Sequence, residues 1–91
     1  MAIYIVSYDL RTPGRNYVPL WDRLRQYTHA KALESLWLVD TSWSAAQIRD
    51  DLKACIDAND MLLVTKLAGE AAWTVLLPGA GQFLQDRFGR G

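Results

Sequence analysis

Ala2-Ile3-Tyr4-Ile5-Val6-Ser7-Tyr8-Asp9-Leu10 opens the chain as a short run of β-branched and aromatic residues, the composition of a strand. Alternation places Ile3, Ile5, Ser7 and Asp9 on one face and Tyr4, Val6, Tyr8 and Leu10 on the other. Both faces are largely apolar, so the strand is expected at the centre of a sheet covered on both sides. It ends at Arg11-Thr12-Pro13-Gly14-Arg15, where Pro-Gly signals a turn. A helix is predicted next, N-capped by Asn16 and with Pro19 in its first turn. Tyr17, Leu20, Trp21 and Leu24 then recur at helical spacing as one apolar stripe. The helix is expected to fray at Thr28-His29-Ala30, which leaves His29 at a helix end.

Working outward, Leu33 to Thr41 reads as a second strand. Ser44 and Gln47 match a capping box, with Trp43 and Ile48 placed to form a hydrophobic staple. Ile48, Leu52, Cys55 and Ile56 continue an inward stripe, which predicts a second helix ending at Ala58-Asn59-Asp60. Met61 to Leu67 reads as a third strand. Residues 70–77 are expected as a fourth strand, pairing within the chain or crossing to a partner. Pro78-Gly79-Ala80-Gly81 breaks the pattern. The organisation read from these signals is one domain over residues 1–77 and a flexible C-terminal tail over 78–91. Gln82 to Phe88 is helix-compatible, and Gly89-Arg90-Gly91 is expected to be disordered.

The order of strands and helices predicts an α+β fold of ferredoxin-like β-α-β type, with two helices on one face of a small sheet. That arrangement needs a further strand between the helices. Only Ala30–Leu33 is available as a short extra piece. A small parallel three-layer α/β sheet is the competing arrangement.

Ninety-one residues suffice for one domain. So short a chain buries only about 60–65% of the surface its unfolded form exposes. Half of the residues are hydrophobic and four are tryptophans, a heavy apolar load for so few interior positions. Association into a homodimer is the expected remedy. Trp21 belongs to the first helical stripe and Trp43 to the staple, which leaves Trp37 and Trp73 as interface anchors. Ten basic and ten acidic residues cancel, so net charge supplies no attraction to nucleic acid. Cys55 is the single cysteine, which rules out an intramolecular disulfide and a cysteine metal cluster, and suits a reducing compartment. The sequence shows no signal-peptide pattern and no apolar run of spanning length, so the expectation is a cytoplasmic protein without a membrane segment.

Tyr8-Asp9-Leu10 at the end of an apolar strand, Pro13-Gly14, Tyr17, Asn59-Asp60 and Gly69-Glu70-Ala71-Ala72-Trp73 together resemble a known group. The chain is similar, over roughly residues 2–73, to the small CRISPR-associated Cas-two and virulence-associated protein D superfamily. Its motifs are most similar to those of small bacterial proteins often labelled SinR family. The regulatory role in that label has no counterpart here, since no helix-turn-helix or basic recognition helix is present in the sequence. The resemblance implies a ferredoxin-like homodimer acting as a metal-dependent endonuclease on RNA or DNA. In the nuclease relatives the aspartate ending the first strand meets its symmetry mate and holds a divalent metal, and Asp9 occupies the matching position. The arginine-rich stretch that often follows is reduced here to Arg11 and Arg15.

Chemistry gives that expectation its content. Mg²⁺ prefers carboxylate oxygens and retains several waters, so two copies of Asp9 plus a substrate phosphate would form a recognisable site. Arg11, Arg15 and Ser7 are the candidate contacts to nucleic acid, the arginines through charge-assisted bonds to phosphate. Asp40 is a candidate auxiliary acid, and His29 a candidate acid or base at neutral pH. The ordinary alternatives are a strand-ending aspartate, solvated loop arginines and a small core-edge serine. They lead to a second function class, a non-catalytic dimerisation or adaptor module of the same fold.

Overall fold

A computed structural model describes residues 2–88 of the chain. Its order is β1 (Ala2–Asp9), α1 (Val18–Arg25), β2 (Thr28–Leu33), β3 (Leu36–Thr41), α2 (Ala45–Lys53), β4 (Met61–Lys66) and α3 (Ala80–Phe88). The four strands form one sheet in the order β2-β3-β1-β4, and every neighbouring pair is antiparallel. A parallel sheet is thereby excluded.

β1 is central, as its two apolar faces require. Tyr4, Val6 and Tyr8 point into one core with Leu20 and Leu24 of α1, Ile48 and Leu52 of α2, and Trp37 and Val39 of β3. Ile3 points the other way, into a second core with Ala32, Leu38 and the α3 residues Ala80, Phe83 and Leu84. Two helices therefore cover one face and a third covers part of the other.

Local signals account for most of this. The capping box forms as the sequence predicts, with the Gln47 amide donating to Ser44 Oγ and the Ser44 amide to Gln47 Oε1. α1 begins at Val18 rather than Asn16, although the Asn16 side chain still accepts from the Val18 amide at 3.0 Å. In the β1–α1 loop the Arg15 amide donates to the Thr12 carbonyl at 3.2 Å, and Gly14 has φ of 80°. Pro then Gly at the two central positions is the type II turn, whose third residue needs positive φ.

Three expectations are corrected. The strand read over Leu33–Thr41 is β3, which begins only at Leu36. Leu33 ends a separate strand, β2, that includes the short extra piece Ala30–Leu33 and turns into β3 at residues 34–35. Thr28, His29 and Ala30 thus begin a strand instead of fraying a helix. Residues 70–77 form no strand; they cross the sheet face to α3, and Trp73 and Leu76 pack on the second core. Residues 80–88 are a packed helix and not a flexible tail. Gly89-Arg90-Gly91 lie outside the described residues. No helix among the described residues is long and apolar enough to cross a membrane.

Candidate functional site

The end of β1, the loop after it and the start of β4 bring together most of the residues singled out in the sequence. Asp9 lies cross-strand from Met61, and Ser7 from Leu63. The Asp9 side chain is 59% exposed, and Arg11 Nη2 reaches its Oδ2 at 3.0 Å. Ser7 is half-buried on the same face.

Asp60 organises the loop that follows. Its carboxylate accepts from the Arg11 amide (2.7 Å), the Asp57 amide (2.8 Å) and the Tyr17 hydroxyl, which is 2.7 Å from both oxygens. Burial pushes the Asp60 pKa up, but the Arg11 and Asp57 amides, Tyr17 and the Arg15 charge outweigh it and hold the carboxyl below its ordinary 3.8. Beside it, Thr12 Oγ1 donates to Asp57 at 2.8 Å, and Arg15 lies 3.9 Å from Asp57 and 5.8 Å from the Tyr17 ring centroid. The loop carrying Arg11 and Arg15 is therefore tied to the loop before β4 by side chains more than forty residues away in sequence. Both arginines spend their charge on neighbouring carboxylates, Arg11 on Asp9 and Arg15 on Asp57.

The Mg²⁺ expectation meets this geometry directly. At this end of the sheet the chain offers one exposed carboxylate, Asp9, which Arg11 bonds at 3.0 Å. Among the described residues no group of three His, Cys, Asp or Glu is placed to hold a metal. Mg²⁺ keeps several waters and takes one or two carboxylates, so at this end of the sheet the chain supplies one of the two carboxylates that the paired-Asp9 expectation requires.

Other candidates are dispersed. Asp40 pairs with Ile3 at the opposite end of β1, where Arg87 Nε holds it at 2.8 Å. His29 sits on β2, its Nδ1 2.9 Å from the Tyr27 carbonyl and its ring 5.3 Å from that of Trp37. Trp37 is 3% exposed and donates to the Tyr8 hydroxyl at 3.0 Å, so it is a core residue and not an interface anchor. Trp73 is half-buried against α3, where its Nε1 would lie 3.3 Å from a Cβ at Gly81. The large apolar residues left exposed are Met61 (54%) and Leu63 (61%) on β4, together with Val18, Leu33, Trp43 and Val75. Alternation within Met61–Leu67 could have marked Met61 and Leu63 as sharing the Asp9 face.

A cleft of about 340 Å³ lies between the end of α1, the start of β2, the end of β3 and Asp51 near the end of α2. Asp51 on its wall accepts from Arg23 and, at 2.7 Å, from the Tyr27 hydroxyl. Burial, then the Asp51 hydrogen bond, push the Tyr27 pKa above its ordinary range, and Asp51 raises that of Arg23. Trp43, expected as a staple, stands half-exposed at the mouth, edge-on to Tyr27 at 6.1 Å.

No family model matches the chain, and no solved structure matches it.

Proposed function

We propose that this chain is a self-associating module of the ferredoxin-like class, closer to a dimerisation or adaptor domain than to an enzyme. The β-α-β-β-α-β order of residues 2–66 and the antiparallel β2-β3-β1-β4 sheet support the class. The observation that carries the function is the strip left bare by α3. Met61 and Leu63 are large apolar side chains, more than half exposed, on the face that α3 covers only in part. Bare apolar surface on a chain this small marks an association site. Sedimentation equilibrium at micromolar concentration tests the reading: a dimer is expected, and a monomer throughout the range removes it.

A second reading rests on the position of Asp9. It shares the bare strip with Ser7, Met61 and Leu63, so a partner packed face-on would approach Asp9. A dimer of that kind supports the homodimeric nuclease implied by resemblance, with paired Asp9, Mg²⁺ and an RNA or DNA substrate gripped by Arg11 and Arg15. Its test is cleavage of labelled RNA and DNA with Mg²⁺ or Mn²⁺. Activity lost in Asp9→Ala supports it; equal cleavage by both proteins, or none by either, removes it.

A further inference from the structure

The two edges of the sheet are built differently. On β2 the ladder shifts register between Lys31 and Leu33, and the buried Ala32 gives its carbonyl to the Leu77 amide at 2.9 Å. A bulge and a covering segment are standard ways of blunting an edge. On β4 the pairing with β1 runs from Met61 to Lys66 without a break. The only charge within the strand is Lys66, and it contains no proline.

Hydrogen-bond phase shows what this open edge offers. The Leu67 amide donates to the Ile3 carbonyl at 2.8 Å, so alternate residues Met61, Leu63 and Thr65 also bond to β1. The amides and carbonyls of Leu62, Val64 and Lys66 therefore point outward, unpaired by any strand among the described residues. Beside them, between α2 and β4, lies a groove of about 420 Å³ lined by Ala45, Ala46, Arg49, Leu62, Leu63 and Val64.

We infer that β4 pairs antiparallel with β4 of a second copy, about a two-fold axis at Leu63, to make one continuous eight-stranded sheet. The inference rests on the self-association reading and specifies its interface. Side chains select the register. With Leu63 facing its mate, Leu62 and Val64 exchange their outward hydrogen bonds across the axis, Met61 faces Thr65, and Lys66 faces Asp60 of the other copy. Leu63, the more exposed of the two apolar side chains, thus covers itself, and the strand's one cation meets a carboxylate held below its ordinary pKa. Opposite charges and apolar pairs directly across a ladder are the favourable cross-strand pairs. A register centred on Val64 instead faces Lys66 with Leu62. The two Asp9 residues then lie on the order of 20 Å apart, from about 3.4 Å per residue along and about 4.8 Å between strands. That is too far to share a cation, so this dimer and the paired-Asp9 reading exclude one another.

Cross-linking and sedimentation of the full chain test the pairing. In a Cys55→Ser background, Leu63→Cys is expected to form a disulfide-linked dimer on mild oxidation, because non-hydrogen-bonded partners have Cα atoms about 4.5 Å apart. Leu63→Lys, at an exposed position, is expected to weaken the sedimentation dimer at least tenfold with an unchanged circular dichroism spectrum. Lys66→Glu, which sets like charges face to face, is expected to weaken it as well. A dimer that persists in Leu63→Lys, together with no cross-link in the Leu63→Cys variant, overturns the edge pairing and leaves self-association standing. A monomeric parent overturns both.

Discussion

Tyr8 is where the core of this protein is most easily tested. Its hydroxyl accepts from two indoles, Trp37 Nε1 at 3.0 Å and Trp21 Nε1 at 3.2 Å. Tyr8→Phe keeps the ring and its packing but removes the acceptor from both. Trp37 is buried, so its N–H finds no water, and an unpaired buried donor costs about 1–3 kcal/mol. Trp21 is half-buried and turns to solvent at a fraction of that. The expected loss is about 2–3 kcal/mol, a large part of the roughly 5–15 kcal/mol typical of a domain. In urea unfolding it appears as a lower midpoint with an unchanged slope, and in a thermal melt as a drop of roughly 10–20 °C. Trp37→Phe in the Tyr8→Phe background removes the orphan along with its lost partner, so the two changes are expected to be less than additive. A loss below about 0.5 kcal/mol for Tyr8→Phe, or strict additivity in the cycle, refutes the reasoning.

Three further outcomes follow from the packing and the charges. Ser44→Ala removes one half of the capping box and is expected to cost about 1 kcal/mol by chemical denaturation. Phe83→Ala empties the second core beneath α3 and is expected to cost about 3–5 kcal/mol; an unchanged midpoint would show that residues 80–88 contribute nothing to the fold. Asp60 has a depressed pKa in the folded chain, so it stabilises above its unfolded pKa, and that contribution is lost as pH falls through the folded value. Stability measured from pH 6 down to pH 2 is therefore expected to fall less steeply in Asp60→Asn than in the parent.

The sequence carries strong local signals for β1, the two apolar stripes and the capping box, and these elements form. Their ends differ: α1 begins at Val18 rather than Asn16, and α2 ends at Lys53, short of the Cys55 and Ile56 in its stripe and of the expected end at Ala58-Asn59-Asp60. The hairpin of β2 and β3 leaves little local trace. Residues 34–35 are Glu-Ser, without the glycine or asparagine that marks a tight turn, and Thr28-His29-Ala30-Lys31 has little strand propensity of its own. β2 is held by its ladder to β3, a tertiary effect. For α3 the sequence shows only that Gln82 to Phe88 is helix-compatible; Gly81 within its first turn disfavours a helix, and its packing on the second core through Phe83 and Leu84 leaves no local trace. For the site, Asp9 is legible as an acid ending an apolar strand, and its pairing with Arg11 follows from closeness in the chain. The anchoring of that loop by Tyr17, Asp57 and Asp60 depends on contacts across 43 to 49 residues, which no local pattern announces.

The unequal edges of the sheet also limit how far assembly can go. A molecule with one open edge has a valence of one. A self-complementary contact about a two-fold axis uses up that valence in both partners, so growth ends at two. Two open edges would give the same chain a valence of two and allow sheets to add end to end into a filament. If the β4 edges pair as inferred, the Leu77 amide bonded to the bulged carbonyl of Ala32 bears on assembly from the far side of the molecule, because it helps to blunt the β2 edge against a further strand.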